Sequence, residues 1–384
     1  MTKRTLSLLA VPLAGALALA ACGGDDEESA DTTASGGASA GSLAGVCPDT
    51  VVIQTDWNPE AEHGAAYELV GDGYTVDTGK KTVTGPLVAG GEDTGVKVEV
   101  RIGGPAIGFQ LVTAQMYQDP SITLGFVNTD EAAALSVDQP TLAVLAPLEK
   151  NPQILMWGPE AFPDAKEVKD VPADTKVVTF GPAVYQQWLI AEGIITKDQI
   201  DGSYDASPAR FVAEGGKILQ QGFASAEPYI YENEVEEWGK PVAFQLIHDM
   251  GFEIYSQALA IRAADKDELD ACLKLLVPIY QQAAIDYVND PAETNTLILE
   301  LVEKFETGWV YSQGVADFSV EQQKKLGLVG NGPDDTLGNM DEARVQKIID
   351  ELVPIFEAEG TPIKEGLKAS DIITNEYVDT SIGL

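Results

Sequence analysis

TVVIQTDWNPEAEHGAAY, residues 50–67, changes character twice. Thr50-Val-Val-Ile-Gln-Thr55 is dominated by β-branched residues and reads as a short buried strand. Asp56-Trp57-Asn58-Pro59 stops it, because proline has no amide proton to donate and asparagine favours turns. From Glu60 to Val70 helix formers return, with Ala61, Ala65, Ala66 and Leu69 at helical spacing. Trp57 and Asn58 therefore stand at the carboxyl end of a strand, and His63 and Tyr67 lie one turn apart on the next helix. In open α/β sheets, ligands bind in the crevice beyond the strand carboxyl ends.

The same unit recurs downstream. Residues 97–102 alternate and predict a second strand paired with the first; residues 71–92 between them read as a small excursion. Residues 108–117 predict a helix with Phe109, Val112 and Met116 on one face. A third strand, 122–127, runs into Asn128-Thr129-Asp130 and a helix over 131–135, with Asp130 as its cap and Asn128 and Thr129 as ligand contacts. Further strands are expected at 141–146, 153–157 and 176–180. The last leads through Gly181-Pro182 into a helix over 183–195 that carries Tyr185 and Trp188. Because a helix N-terminus offers free amides, Gly181 and Tyr185 are candidates to face a ligand. Ser207-Pro208 starts a helix with its body at 211–223, and further strands are expected at 240–247 and 251–261. The rest reads as helical: 265–288, with an Asp265/Glu268 capping box and a kink at Pro278; 294–305; 319–326, capped by Ser319; and 341–357, before a docked tail at 371–378.

Lys3 and Arg4 precede an apolar run ending in Leu19-Ala20-Ala21-Cys22, the pattern of a secretory signal. The run is short and holds Pro12 and Gly15, which argues against a membrane span. Leu-Ala-Ala-Cys resembles a bacterial lipobox, which implies lipidation of Cys22 and an anchor on the extracytoplasmic face of the cell membrane. Residues 23–45 are Gly, Ser, Ala and acids with almost no large apolar side chain, and read as a flexible tether. Without Lys3 and Arg4, 22 basic residues face 61 acidic ones, a net charge of −39. Such a surface repels nucleic acid, and its scattered acids indicate a solvated exterior. Besides Cys22 only Cys47 and Cys272 remain; in an exported chain two cysteines invite one disulfide, expected between them.

Enzymatic signals are missing. Gly37-Ala38-Ser39-Ala40-Gly41 matches G-x-S-x-G only formally, with no strand before it or helix after it. Gly79-Lys80-Lys81 lacks the serine or threonine of a phosphate loop. Two histidines without H-E-x-x-H, no EF-hand spacing and no G-x-G-x-x-G argue against a zinc hydrolase, a calcium site or a dinucleotide enzyme. His248 beside Asp249 has no linked nucleophile and reads as a loop histidine. No metal and no cofactor are expected.

Asp56, Trp57, Pro59, His63 and Tyr67 together resemble the opening of the thiamine-precursor-type solute-binding proteins of ABC importers. Glu60 stands where that family usually has Asn, and Ala65 where it usually has Gly. The resemblance implies a two-lobed periplasmic-binding-protein type II fold, α/β, each lobe a mixed sheet flanked by helices. Its expected divisions are a signal peptide at 1–21, a tether at 22–46, lobe I at 47–155, lobe II at 156–254 and a return to lobe I at 255–384. It also implies a small, planar, nitrogenous solute and partners in a permease and an ATPase, the protein itself being a monomer and no enzyme. Two further elements match that family: Ala224-Ser-Ala-Glu227-Pro, with Tyr229 after it, and the step from Gly251 to Tyr255. Glu227, Tyr229 and Tyr255 thereby join the ligand-contact candidates. Sulfonate-, taurine- and nitrate-type binding proteins share the architecture but need positive charge or helix amides at the oxyanion, and few Arg or Lys lie near these loops. The pyrimidine synthase of the same fold implies a cysteine-rich iron motif that this chain cannot supply. A sensory lipoprotein that binds without transport is a further alternative.

Overall fold

The computed structural model describes residues 42–384. The export signal, Cys22 and the tether up to Gly41 lie outside the described residues. Among those described, no helix is long and apolar enough to cross a membrane.

Two mixed sheets organise the chain. The first contains β1 (Thr50–Gln54), β2 (Thr75–Asp77), β3 (Thr82–Ala89), β4 (Glu92–Arg101), β5 (Leu124–Val127), β6 (Thr141–Leu145) and a late strand, β12 (Ala258–Arg262). The second contains β7 (Gln153–Trp157), β8 (Val177–Val178), β9 (Ile200–Asp201), β10 (Leu219–Phe223) and β11 (Ala243–Leu246). Their orders are β2-β3-β4-β1-β5-β12-β6 and β11-β7-β10-β8-β9. β1 lies parallel between β4 and β5, with Gln54 opposite Arg101 and Gly125, while β12 runs antiparallel to β5 and β6. Strands covered on both faces read as continuous apolar runs, which is why β5 and β6 are buried throughout.

The pleat divides β1 between two cores. Val51 and Ile53 enter one with α1 (Gly64–Glu68) and Leu273, Leu276 and Tyr280 of the long α7 (Lys266–Asn289). Val52 enters the other with Met116 of α2 (Val112–Gln118), Ala132 of α3 (Thr129–Ala134) and Leu352 of α10 (Glu342–Glu359). Cys47 and Cys272 form a disulfide (S–S 2.03 Å, Cα–Cα 4.7 Å) that ties the approach to β1 onto α7.

The chain passes between the sheets twice, after β6 and before β12. Arg344 on α10 holds both passages. Its guanidinium donates to Glu149 Oε1 (2.7 Å) and Glu149 O (2.8 Å) on one, and to Glu253 O (2.6 Å) and Ile254 O (3.0 Å) on the other. It also stacks 3.9 Å above the Tyr255 ring.

Several local expectations fail for identifiable reasons. The helix expected at 211–223 stops after α5 (Ala209–Ala213), because Gly215 and Gly216 take φ of +62° and +69°. Beyond those glycines the chain enters β10, an inner strand of the second sheet. The helix expected from Gly108 begins only at Val112, since Gly108 and Phe109 are left-handed and Phe109 points outward, 67% exposed. Ser319 is buried within α9 (Gln313–Lys325), whose cap is Ser312, accepting from Val315 N at 3.1 Å. The strand expected at 251–261 forms only from Ala258, after Gly251 at φ +114°. The 176–180 strand reduces to Val177–Val178. Neither Asp130 nor Asp265 caps by its side chain; Asp130 sits in the first turn of α3, and the N-cap is Asn128.

An aromatic and acidic cluster as candidate functional site

The turn after β1 is fixed by backbone bonds. Gly103 N donates to Trp57 O and Gly104 N to Asp56 O, both at 2.9 Å, and Thr55 Oγ1 donates to Trp57 O at 3.1 Å. Gly104 (φ +55°) lies directly under the indole: a Cβ there would come within 2.7 Å of Trp57 Cε3. Only glycine lets the ring settle so close to the backbone.

Trp57 is half-buried and ringed by aromatics from both halves of the chain. Phe109 (centroids 5.9 Å) and Trp309 (6.0 Å) flank it, and Phe180, just after β8 of the second sheet, lies 6.2 Å away. Phe180 packs in turn on Tyr204 at 4.8 Å. Such tilted arrangements suit the aromatic quadrupole.

Beside this wall lies a polar floor. His63, fully buried, places Nε2 2.9 Å from Asp56 Oδ1 and 3.5 Å from Glu60 Oε1. Gln257 Nε2 donates to both Asp56 oxygens at 3.2 Å. Gln257 holds a left-handed backbone (φ +52°), fastened by Asn128 Oδ1, which accepts from Gln257 N at 2.9 Å and Ser256 Oγ at 3.1 Å. A non-glycine residue in that region persists only where its surroundings over-determine it.

Carboxylates crowd the same place. Glu62 accepts from Ser225 Oγ of the second sheet's loops, and Glu227, at the start of α6 (Glu227–Asn233), accepts from Phe223 N at 2.6 Å. Gly222 allows this fit, since a Cβ there would stand 2.9 Å from Glu227 Cδ. Burial raises the glutamates here above ordinary carboxylic acids. Glu60 is raised well above the usual range by burial and then by Glu62, Asp56 and Glu227. Glu62 is raised by burial against the opposing Ser225 bond. Glu227 is pushed up to about 7 by burial, opposed by the Phe223 amide. Glu131 is raised by burial and by Asp130 and Asp56. Among the described residues, none of Asp56, Glu60, Glu62, Glu131 and Glu227 pairs with a lysine or arginine; the one basic partner is His63. Nor, among those residues, is any cluster of three acids, histidines or cysteines arranged to hold a metal ion.

Of the residues singled out from sequence, Trp57, His63, Asn128 and Glu227 converge here. Asn58 is adjacent but buried, its Oδ1 taken by Thr307 Oγ1 at 2.8 Å. Thr129 faces the second passage, where its Oγ1 accepts from Tyr255 N at 3.1 Å. Gly181 is exposed, and its carbonyl accepts from Gln186 Nε2 at 2.9 Å. Four tyrosine assignments need correction. Tyr67 is packed in the first core near Tyr280. Tyr185 is buried behind the loop, donating to Gln221 Oε1 at 2.8 Å. Tyr229 packs against α9, with its hydroxyl over Gly314 and its ring 5.6 Å from Phe318. Tyr255 is fully buried under Arg344 and accepts from Asp341 N at 2.8 Å. Sequence reading missed Phe109, Phe180, Trp309, Glu60, Glu62 and Gln257 as site residues. Only Glu60 carried a signal, as a departure from the family pattern.

No family model and no curated protein matches the sequence. Solved structures do resemble the fold. The periplasmic aliphatic sulphonate binding protein of Escherichia coli aligns with a TM-score of 0.52 at 11% identity, over 82% of this chain and 88% of its own. The alkanesulfonate-binding protein of Xanthomonas axonopodis pv. citri, bound to MOPS, aligns at 0.51 and 11%, over 85% and 99%. The periplasmic nitrate-binding protein of Synechocystis PCC 6803 aligns at 0.51 and 11%, over 86% and 87%. Likeness at this identity speaks to architecture alone, and with the two mixed sheets it establishes that the chain has the type II periplasmic-binding-protein fold.

Proposed function

We propose that this chain is the extracytoplasmic solute-binding component of an ABC importer, anchored through a lipidated Cys22 and capturing a small planar solute between its two sheets. The carrying observation is Trp57: a half-exposed indole walled by Phe109 and Trp309 on one side and by Phe180 of the other sheet. Capture draws the sheets together on that ring, and the closed form docks on the permease, so solute acts by shifting the open–closed population. Tyr255 and Arg344 sit at the passages where such bending is concentrated. The solute the sequence resemblance suggests, an amino-substituted pyrimidine of the thiamine-precursor kind, fits an aromatic wall beside a polar floor.

Anion capture is the second reading, supported by the sulphonate- and nitrate-binding names of the solved neighbours. A thermal-shift screen over aminopyrimidines, flavins, sulfonates and nitrate separates the two, since a ligand that binds only the folded state raises the melting temperature. The expected result is stabilisation by an aromatic heterocycle that Trp57→Ala abolishes. Stabilisation by taurine or nitrate alone reverses the assignment.

A further inference from the structure

We infer that the cleft selects an aromatic organic cation bearing several N–H donors, of the amidinium or aminoheterocyclium class, and rejects oxyanions. The inference rests on the solute-binding reading above and narrows its ligand.

Two independent observations carry it. The first is charge. Asp56, Glu60 and Glu62 arrive from the turn after β1 and Glu227 from the start of α6, so acids approach from both sheets, yet none has a lysine or arginine partner among the described residues. Carboxyl groups withdrawn from bulk water either keep their protons or pair with a cation, and a bound cation favours the ionised form.

The second is hydrogen-bonding capacity. Gln257 is only 5% exposed, and its amide orientation is fixed because Nε2 faces both oxygens of Asp56; the reverse orientation would set oxygen against carboxylate. Its Oε1 is therefore an acceptor, and it is buried without a partner. His63 Nε2 lies 2.9 Å from Asp56 Oδ1 and 3.5 Å from Glu60 Oε1, which ties it to the same acids. Gln257 Oε1 is thus an unmet acceptor beside the acids, while on the aromatic wall the indole N–H of Trp309 is an unmet donor. A ligand completes the Gln257 acceptor by donating a proton, whereas a sulfonate or nitrate there would set acceptor against acceptor. The indole of Trp57 adds a face on which a planar cation stacks favourably.

Isothermal titration of the purified full chain at about pH 8 tests this with probes matched in shape: benzamidine (cation), benzamide (neutral) and benzenesulfonate (anion). Benzamidine is expected to bind at least about tenfold tighter than benzamide, and benzenesulfonate not at all. Glu62→Gln and Glu227→Gln should each weaken benzamidine at least about tenfold without lowering the melting temperature, because an isosteric amide removes a buried charge. If benzamide or benzenesulfonate binds as tightly as benzamidine, in a manner lost in Trp57→Ala, the cation inference falls and the solute cleft stands. If none of the three binds, or benzamidine binding survives Trp57→Ala, both fall.

Discussion

Replacing Glu227 by Gln should make the protein more stable at alkaline pH and leave it nearly unchanged in mild acid. In the folded chain this carboxyl is half-buried, accepts the Phe223 amide and keeps its proton to about pH 7, whereas its ordinary value is 4.5. Between those values the unfolded chain has lost the proton and the folded chain has not. The stabilisation is therefore complete below 4.5 and is lost as pH rises through about 7. The gap corresponds to roughly 3 kcal/mol, of which about 2–3 kcal/mol falls between pH 5 and pH 8. For a domain of this size, with an unfolding entropy near about 0.7 kcal/mol/K, that is a melting shift of about 3–4 °C. Gln keeps an oxygen for the Phe223 amide but carries no charge, so the difference between the two proteins isolates one group. His248, which burial holds down at about 4 and which destabilises the fold in acid, contributes equally to both and cancels. Melts of both proteins at pH 5 and pH 8 measure the difference. A gap constant to within about 1 °C, or a variant less stable at pH 8, would refute the assignment of a buried, protonated Glu227. A bound cation competes with the same proton, so benzamidine affinity should fall between pH 8 and pH 5.

Reduction of the disulfide, or Cys272→Ser, should destabilise strongly: a closure spanning 225 residues corresponds to at most about 5 kcal/mol of chain entropy, read by urea unfolding, and a loss under about 1 kcal/mol would count against it. Arg344→Ala should cost about 3–5 kcal/mol, because it leaves Glu149 unpaired and frees both passages between the sheets; Arg344→Lys should not rescue it, since one ammonium cannot reach both carbonyl sets.

Legibility in the sequence tracks the range of the forces involved. β1, β7 and the long helices are legible because their apolar spacing is local and repeated. β10 is not: Leu219-Gln-Gln-Gly-Phe223 carries polar side chains that become strand-compatible only through pairing with β7 and β8, with Gln220 Nε2 donating to the Tyr231 hydroxyl at 2.6 Å. Trp57 and Glu227 are legible through a motif, but the tyrosines are not, because a sequence gives a ring's presence and not its direction. Tyr255 illustrates the difference, since α10, some ninety residues later, supplies the arginine that covers it. Phe180 and Trp309 stay invisible for the same reason: their role exists only where separate segments meet.

The fold decides where a ligand sits, and the first turns of the short helices decide what charge it carries. An unoccupied helix N-terminus favours an anion, the arrangement on which oxyanion binding commonly relies. Here the helices that begin at the cleft open with the protein's own acids: Glu227 in α6, Asp130 and Glu131 in α3. Those carboxylates occupy the positive ends of the helices, and burial nevertheless raises Glu227 and Glu131, so the dipoles fall short of offsetting desolvation. An arriving oxyanion would meet helix starts already occupied by acids that have no lysine or arginine partner among the described residues, and the lone pair of Gln257 Oε1. A donor-bearing cation would meet all of these as partners, and the architecture shared with sulphonate- and nitrate-binding proteins would serve the opposite charge.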